Sequence, residues 1–381
     1  SSPELMTRRL FIYSHDTFGL GHLKRSRTIA AAVVAARPDV SVLIATGSPL
    51  ADEFSVLPGV DIVRLPAVLK KPEGGYAPAQ AGLSLGEAIA LRSQLLVELA
   101  ADFRPDVLLV DKEPLGLCGE LTATLEAEAL RGTRLVLGVR DVLDEAGQLR
   151  TEWGSSGALA ALARYHALWV YGHRDMYDPL QGLDIPAEVA ARVKFLGYLR
   201  SSLPAVPEQP GQVLVTAGGG GDGEALLLAM VRAAKNFPHW HWDIVTGPFV
   251  PEAVFSTLEA ASAAAPNVTL RRFVPDMGAR VAQASLVVAM AGYNTFCDVL
   301  SGQKRVLFVP RIAPRQEQWI RAKAAEKLGL AKVLHPDMLT NDDAVIRALE
   351  QASRHHRPSA DFYEGLLGGI PAVQEAMGLV F

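Results

Sequence analysis

The feature that most constrains the fold is an alternation of short apolar runs with longer helical patterns. In the first half, runs that favour β-strands occupy residues 10–13, 40–45, 60–65, 107–110, 135–139 and 168–171. Helical patterns lie between them. This rhythm is typical of a parallel sheet covered by helices on both faces.

A proline-rich, non-periodic stretch at 201–211 interrupts the alternation and predicts a linker. The alternation then resumes with runs at 213–216, 242–246, 268–273, 286–290 and 306–309. At 381 residues the chain is too long for one core. We therefore expect an α/β protein with two doubly wound, Rossmann-like domains, 6–200 and 212–358, whose strand ends face each other across a cleft. The segment 359–381 is a candidate to cross back onto the first domain.

Composition excludes several classes of protein. The net charge is −4 and no dense Lys/Arg cluster appears along the sequence, which disfavours nucleic-acid partners. No apolar run approaches the roughly 18 to 20 residues of a membrane helix, so we expect a soluble protein. The two cysteines, Cys118 and Cys297, predict no disulfide framework and a cytoplasmic setting. Membrane contact through Lys70 and Lys71 is less favoured than a solvated loop.

A glycine-rich turn follows the first run of the second half. Residues 217–223 read AGGGGDG, and an apolar helical pattern begins at Glu224. The four glycines Gly218, Gly219, Gly220 and Gly221 leave backbone N–H groups open to a phosphate at a helix N-terminus. The alternative is a turn that only needs positive φ angles. The spacing matches neither a P-loop nor a dinucleotide fingerprint, which disfavours an NAD-dependent oxidoreductase.

A second candidate phosphate site lies where the run 286–290 leads into a helix through Ala291 and Gly292. The first helical residues there are Tyr293, Asn294 and Thr295, and their N–H groups and the positive end of the helix dipole suit a diphosphate. Asp298 follows on the same face and could accept the hydroxyls of a ribose. Alternatively, Asn294 or Thr295 is an N-cap and Asp298 a first-turn acid.

The stretch from Ala291 to Pro310, with the following RQEQ of residues 315–318, resembles the donor-binding motif of glycosyltransferase family 28, which has the GT-B fold. The resemblance implies that the small-Gly pair and Thr295 meet the diphosphate. It also implies that Asp298, where the family normally has Glu, binds ribose and that Gln316 reaches the donor sugar. The backbone near Phe273 and Val274 would meet the base. Arg315 could stabilise the departing diphosphate.

At the start of the chain, residues 14–22 read SHDTFGLGH. The Gly19-Leu-Gly21-His22 pattern resembles the glycine-rich loop of GT-B enzymes, including plant-type UDP-glycosyltransferases, whose histidine is a general base. Histidine suits that role because its pKa lies near neutrality. By the same resemblance Asp111 would orient His22. The other acceptor-loop residues His15, Asp16 and Glu113 compete for the role of base.

The expected function is therefore inverting, metal-independent transfer of a sugar from a nucleotide diphosphate donor, with UDP favoured by resemblance, to an acceptor hydroxyl. No metal ligands with typical spacing and no cofactor are expected. Two alternatives stay open, a sugar-nucleotide 2-epimerase and a non-catalytic nucleotide-sugar-binding protein. The acceptor, which can be a small molecule, a lipid-linked molecule or a glycan, and the oligomeric state are not determined by the sequence.

Overall fold

The computed structural model describes residues 7–17, 21–71, 74–80, 82–218 and 222–381. The chain forms two compact units. The first comprises Ser1–His173, Pro179–Gly197 and Gly369–Phe381, and the second comprises Arg174–Asp178 and Tyr198–Gly368. Among the described residues, no helix combines the length and apolar character that crossing a bilayer requires.

Among the described residues before residue 198, the first unit contains nine strands and six α-helices. Its elements are β1 (Arg8–Ser14), α1 (Gly21–Ala36), β2 (Val40–Thr46), β3 (Val60–Arg64), β4 (Val68–Lys70), β5 (Tyr76–Pro78), α2 (Leu85–Phe103), β6 (Val107–Asp111), α3 (Thr122–Leu130), β7 (Arg134–Arg140), α4 (Ala146–Ser156), α5 (Ala158–Ala161), β8 (Ala167–Tyr171), α6 (Ala187–Ala190) and β9 (Val193–Phe195).

Seven of these strands form one parallel sheet in the order β3-β2-β1-β6-β7-β8-β9. All six predicted runs are strands of this sheet. The sequence pattern missed β9 and the antiparallel pair β4–β5, because strands of three residues are too short to show a period. Phe11, Leu108 and Leu137 lie in the core on the face that α2 and α3 cover.

The second unit continues the chain with six strands and seven α-helices in the residues that the structure describes. Its elements are β10 (Gln212–Thr216), α7 (Glu224–Ala233), β11 (His241–Val245), α8 (Glu252–Ser262), β12 (Val268–Arg271), α9 (Met277–Gln283), β13 (Leu286–Ala289), α10 (Tyr293–Gly302), β14 (Val306–Phe308), α11 (Glu317–Lys327), β15 (Lys332–Val333), α12 (Asp342–Ser353) and α13 (Ala360–Leu366). The last helix, α14 (Gly369–Val380), belongs to the first unit.

The second sheet is also entirely parallel, in the order β12-β11-β10-β13-β14-β15. The direction in which strands are added reverses at β10. The chain first adds β11 and β12 on one side of β10 and then adds β13, β14 and β15 on its other side. Ligands of open α/β sheets bind outside the carboxyl ends of the strands at such a switch point. The predicted doubly wound α/β architecture is confirmed, and the two-residue strand β15 is the one addition in this sheet.

Two boundaries differ from the sequence prediction. The stretch 201–211 belongs to the second unit, where the N–H of Ser201 donates to Ser301 Oγ at 2.9 Å and the N–H of Gln209 donates to Gln283 O at 2.9 Å. The segment 359–381 is two helices in different units. α13 stays with the second unit, where Leu366 O accepts from Tyr198 N at 2.8 Å. α14 packs on α1 in the first unit.

Candidate functional site

In the first unit, neighbouring strands bring His22 and Asp111 together. β1 and β6 pair in parallel with Tyr13 opposite Val110, so the loop after β1 lies beside the end of β6. His22 is the second residue of α1 and Asp111 the last of β6. His22 Nδ1 lies 2.6 Å from Asp111 Oδ2. A carboxylate can only accept, so we assign a proton to Nδ1, which leaves the Nε2 lone pair available.

Arg25, one helical turn after His22, completes a buried charged cluster. Its guanidinium donates to Asp111 Oδ1 at 2.7 Å. Burial by itself raises the pKa of Asp111, but Arg25 and His22 outweigh it and hold that pKa well below its usual value. Asp111 is therefore a permanent anion that fixes the orientation of His22.

The pKa of His22 is lowered, chiefly by burial. Asp111 opposes this shift, whereas Arg25 and Arg140 add to it. The imidazole is therefore neutral near pH 7, which is the state that a general base requires.

The other candidates for the base have different surroundings. Asp16 accepts from Leu23 N at 3.0 Å, Ser14 Oγ at 2.6 Å and Thr46 Oγ1 at 2.5 Å, so this buried carboxylate holds the start of α1 and two strand ends. His15 is 5% exposed, and its Nδ1 has no hydrogen-bond partner among the residues the structure describes.

Burial, and then Lys112 and His22, keep the pKa of His15 well below its usual value. The His15 and His22 rings are 5.7 Å apart at their centroids. Glu113 is half-buried, and Gly21 starts α1. Gly19 lies outside the described residues.

A cavity of about 420 Å³ in the first unit is lined in part by His15. Its walls include Glu113 and Leu117 from the segment after β6, Tyr76 from β5, and Trp153 from α4. These walls combine apolar surface with a few polar groups, which is the usual character of a small-molecule site.

In the second unit, two loops that leave the carboxyl edge of the sheet carry the predicted donor residues. β10 and β13 are adjacent and end level, with Thr216 opposite Ala289. The loop from β10 contains Gly218 at φ 75°, and Gly247 approaches so closely that a Cβ there would lie 2.9 Å from Gly218 O. Gly219, Gly220 and Gly221 lie outside the described residues.

The loop from β13 ends at Gly292, which is the N-cap of α10. Tyr293, Asn294 and Thr295 therefore form the first turn of the helix and are not N-caps. Gly292 has no side chain to accept hydrogen bonds from that turn. Asp298 is half-buried one turn further along α10. This arrangement provides a helix N-terminus that can meet an anion.

Two buried side chains of α11 hold these loops in place. Arg321 is fully buried, donates to Ala291 O at 2.8 Å and lies over the ring of Tyr293 at 5.6 Å. Gln318 Oε1 accepts from the backbone N–H of Arg311 at 3.0 Å. The loops after β13 and β14 are thereby attached to the same helix.

A bidentate ion pair links the glycine-rich turn to the loop after β14. Arg311 Nε and a terminal nitrogen of its guanidinium donate to the two oxygens of Asp222 at 2.6 and 2.9 Å. Two parallel hydrogen bonds of this kind fix both position and orientation. Asp222 therefore connects the end of the predicted phosphate turn to the loop after β14.

The remaining predicted donor residues lie at the same edge of the second sheet. Gln316 is the N-cap of α11 and is exposed, and Arg315 precedes it and is half-buried. Phe273 is 69% exposed and Val274 is buried, both after β12. β12 lies three positions from β13 in the sheet, so those strand ends are roughly 14 Å apart.

Sequence reasoning missed Arg25, Asp222, Arg311, Gln318 and Arg321. The spacing of Arg25 three residues after His22 on a predicted helix was an available signal. The partners of Arg311 and Arg321 are separated from them by 89 and 30 positions along the chain, so no local pattern reveals them. Across the described ranges, no group of three His, Cys, Asp or Glu side chains is arranged to hold a metal ion.

Comparison with known proteins agrees with the residues that suggested a family. Residues 244–360 match the glycosyltransferase family 28 C-terminal domain. The chain is 29% identical over 181 residues to the UDP-N-acetylglucosamine--N-acetylmuramyl-(pentapeptide) pyrophosphoryl-undecaprenol N-acetylglucosamine transferase of Phenylobacterium zucineum. The matched residues make up 44% of this chain and 48% of that protein. The chain thus spans about half the length of the curated relatives it matches.

Solved structures share the fold over nearly the whole chain. The glycotransferase of kitacinnamycin superposes with a TM-score of 0.66 at 17% identity and covers 98% of both chains. The UDP-GlcNAc 2-epimerase of Neisseria meningitidis superposes with a TM-score of 0.59 at 15% identity and covers 98% of this chain and 99% of its own. At such identities the likeness concerns the fold alone. The predicted resemblance is confirmed: the chain has the GT-B fold and is family 28-like, with residues 244–360 matching the family's C-terminal domain.

Proposed function

We propose that the protein is an inverting, metal-independent glycosyltransferase that moves a sugar from a UDP-sugar to an acceptor hydroxyl. The observation that most supports this function is the 2.6 Å contact between His22 Nδ1 and Asp111 Oδ2. Because the protonated Nδ1 donates to this anion, the basic Nε2 is left to accept a proton from the acceptor hydroxyl. The relative from Phenylobacterium zucineum, whose name includes a UDP-sugar donor, favours UDP over other nucleotides.

In the proposed reaction, His22 Nε2 takes the proton of the acceptor hydroxyl as its oxygen attacks the anomeric carbon. The new C–O bond forms on the face opposite the departing diphosphate, and the bond from the anomeric carbon to the phosphate oxygen breaks. A single displacement of this kind inverts the configuration. Asp111 then faces an imidazolium and stabilises its charge, as an orienting carboxylate does beside other catalytic histidines.

On the donor side, the departing UDP carries the electron pair and negative charge. The first turn of α10, from Tyr293 to Thr295, offers backbone N–H groups to this charge, and Arg315, just before α11, is the proposed cation. Fixed donors at a developing charge contribute about 3–4 kcal/mol each in other enzymes. These groups are our reason for proposing that no metal is needed. Asp298 accepts from the ribose hydroxyls, and Gln316 contacts the sugar.

The cavity beside His15 is the proposed place of the acceptor in the first unit. Its volume of about 420 Å³ suits the reacting part of a small molecule, of a glycan or of a lipid-linked acceptor. Glu113 lines it and is suited to accept a hydrogen bond from an acceptor hydroxyl. Free thiols at Cys118 and Cys297 favour a cytoplasmic location for the reaction.

The test is a calorimetric titration with UDP, dTDP, GDP, ADP and NAD, followed by assays of transfer. Asp298→Ala should weaken UDP binding by about 1.5–3 kcal/mol, because it removes hydrogen bonds to a charged acceptor. His22→Ala should bind UDP as the unchanged protein does but transfer sugar about 10²–10⁴-fold more slowly. Sugar transfer should continue at the same rate when a metal chelator is present.

Three results would count against this function. If none of the nucleotides binds, or if Asp298→Ala binds UDP as tightly as the original protein, the proposed donor site is wrong. Conversion of a UDP-sugar to its epimer with no acceptor present would identify a 2-epimerase. Tight UDP binding without transfer to any acceptor and without slow donor hydrolysis would indicate a nucleotide-sugar-binding protein that is not an enzyme.

A further inference from the structure

The amino edge of the second unit's sheet carries a groove that we call the basic groove. It consists of two adjoining cavities of about 460 and 440 Å³, which share His356. Arg305 directly precedes β14, Lys332 is the first residue of β15, and Arg347 lies on α12. Arg354 and His355 follow α12. These positions are distant in sequence, so the concentration of charge is a product of the fold.

Only part of the positive charge of the basic groove is neutralised by the protein, where Arg357 in the second cavity pairs with Glu208 at 3.4 Å. Within the described part of the chain, Lys332, Arg347 and Arg354 have no carboxylate partner within 4.0 Å. Arg305 donates to a backbone carbonyl, that of His355, at 2.9 Å. Glu350 contributes one carboxylate to the lining. The chain as a whole has a net charge of −4, so this local excess of cations opposes its overall balance.

Two buried polar atoms at the groove lack partners. Tyr363 is fully buried and lines the second cavity, and its hydroxyl makes no hydrogen bond with any described residue. Burial raises the pKa of Tyr363, so the hydroxyl keeps its proton and can donate. Nδ1 of His355 is likewise buried without a partner. Buried polar groups are normally satisfied, and the explanations of an exception are strain, a catalytic role, or a bound water, ion or ligand.

The basic groove is separate from the candidate donor site. All strands of this sheet are parallel, and the donor loops leave their carboxyl ends, for example at Arg311 after β14. Arg305 stands at the opposite end of the same strand. A ligand in the groove therefore does not occupy the site on α10.

We propose that the basic groove binds a phosphate-bearing anion, with the guanidinium groups of Arg347 and Arg354 and the ammonium of Lys332 as its main contacts. Guanidinium groups match the geometry of phosphate oxygens and make two hydrogen bonds at once. The Tyr363 hydroxyl and His355 supply additional donors. Two cavities of a few hundred Å³ suit a phosphate group or a headgroup. The anion is either a soluble phosphate compound or the headgroup of an anionic lipid, since both present the same oxygens.

The first experiment titrates the full chain with inorganic pyrophosphate while NMR follows its histidine side chains, with His355→Gln to assign one signal. In the free protein, burial and then Lys332, Arg305 and His356 lower the pKa of His355. A bound anion favours the imidazolium, so pyrophosphate should raise that pKa. Arg354→Gln and Lys332→Gln should each weaken binding about tenfold, the effect of one charged hydrogen bond.

The matched control is Lys235→Gln, an exposed lysine of the same unit outside the groove, which should bind pyrophosphate unchanged. An unmoved His355 signal at saturating pyrophosphate would overturn the proposal. Equal binding by Arg354→Gln, Lys332→Gln and the unchanged protein would do so as well, because binding would then occur elsewhere.

Sedimentation with vesicles distinguishes the two sources of the anion. If the ligand is a lipid headgroup, the protein should sediment with vesicles of phosphatidylcholine mixed equally with phosphatidylglycerol and not with pure phosphatidylcholine. The double variant Lys332→Gln/Arg354→Gln should then stay in solution. Pyrophosphate binding without sedimentation would identify a soluble phosphate compound.

Discussion

His22 is positioned by charged side chains from two different elements. Asp111 arrives from the end of β6, and Arg25 from the next turn of the same helix α1. Removal of one partner from a buried ion pair leaves an uncompensated charge and typically costs about 3–5 kcal/mol. Arg25 is therefore as necessary to the geometry as Asp111, although it is not proposed to contact the acceptor.

The proposed base predicts a defined pH dependence of sugar transfer. A histidine base must be unprotonated, and the pKa of His22 lies below its ordinary value of 6.5. The rate kcat/KM should therefore remain high as pH falls through 6.5 and decline only at more acidic pH. Arg140→Gln removes a cation that lowers this pKa, so it should move the acidic limb to higher pH.

An exposed arginine provides the control for this measurement. Arg64 pairs with Asp52 at the surface, and Arg64→Gln should leave the pH profile unchanged. An acidic limb centred above pH 6.5 in the unchanged protein would mean that another group limits the rate. If the acidic limb has the same position in Arg140→Gln, the group that titrates in the profile is not His22.

At the scale of elements, close backbone contact shapes the turn after β10. Gly247 has φ 89° after β11, and there is no space for a Cβ beside Gly218 O. The turn that we propose for the diphosphate is therefore supported from the neighbouring strand. Only glycine combines this backbone angle with this approach.

Gly247→Ala should weaken UDP binding about tenfold, because the new methyl group pushes against Gly218. It should also cost about 1–2 kcal/mol of stability through its positive φ. Gly329→Ala is the matched control, since Gly329 has φ 77° with nothing within 4 Å of a Cβ. Calorimetry with UDP and urea unfolding test both variants. If the two variants bind UDP equally well, Gly218 is not part of the donor site.

At the scale of the whole molecule, the first unit is completed by the last residues of the chain. α14 packs on α1, where Gln374 Nε2 donates to Ala32 O at 2.8 Å. Met377 and Val373 of α14 are fully buried. The residues of the second unit therefore lie between α14 and the rest of the first unit in the sequence.

Met377→Ala should destabilise the first unit by about 2–5 kcal/mol, the cost of removing a large buried side chain. Amide hydrogen exchange should show reduced protection in β1 and β2 and unchanged protection in β10 and β13. Leu379→Ala changes a side chain of the same helix that is 70% exposed, and its effect should stay within about 0.5 kcal/mol. Equal loss of protection in both sheets would show that the two units unfold together.

The sequence by itself determined the two doubly wound sheets, since buried parallel strands require continuous apolar runs whose period is visible locally. It also determined the family resemblance, because the residues from Ala291 to Pro310 are contiguous. His22 and Asp111 were proposed from the resemblance of the Gly19-Leu-Gly21-His22 pattern and of Asp111 to GT-B enzymes. Their contact followed once β1 and β6 were neighbours.

Only the tertiary structure decided which distant side chains complete each site. Arg321 reaches Ala291 from another helix, Arg311 pairs with Asp222, and α14 returns to α1. The sequence shows no dense cluster of Lys and Arg, yet the fold assembles one from Arg305, Lys332 and the end of α12. Local periodicity records only which face of an element is apolar. The pairing of charges across elements depends on sheet order and helix packing, which no short stretch of sequence contains.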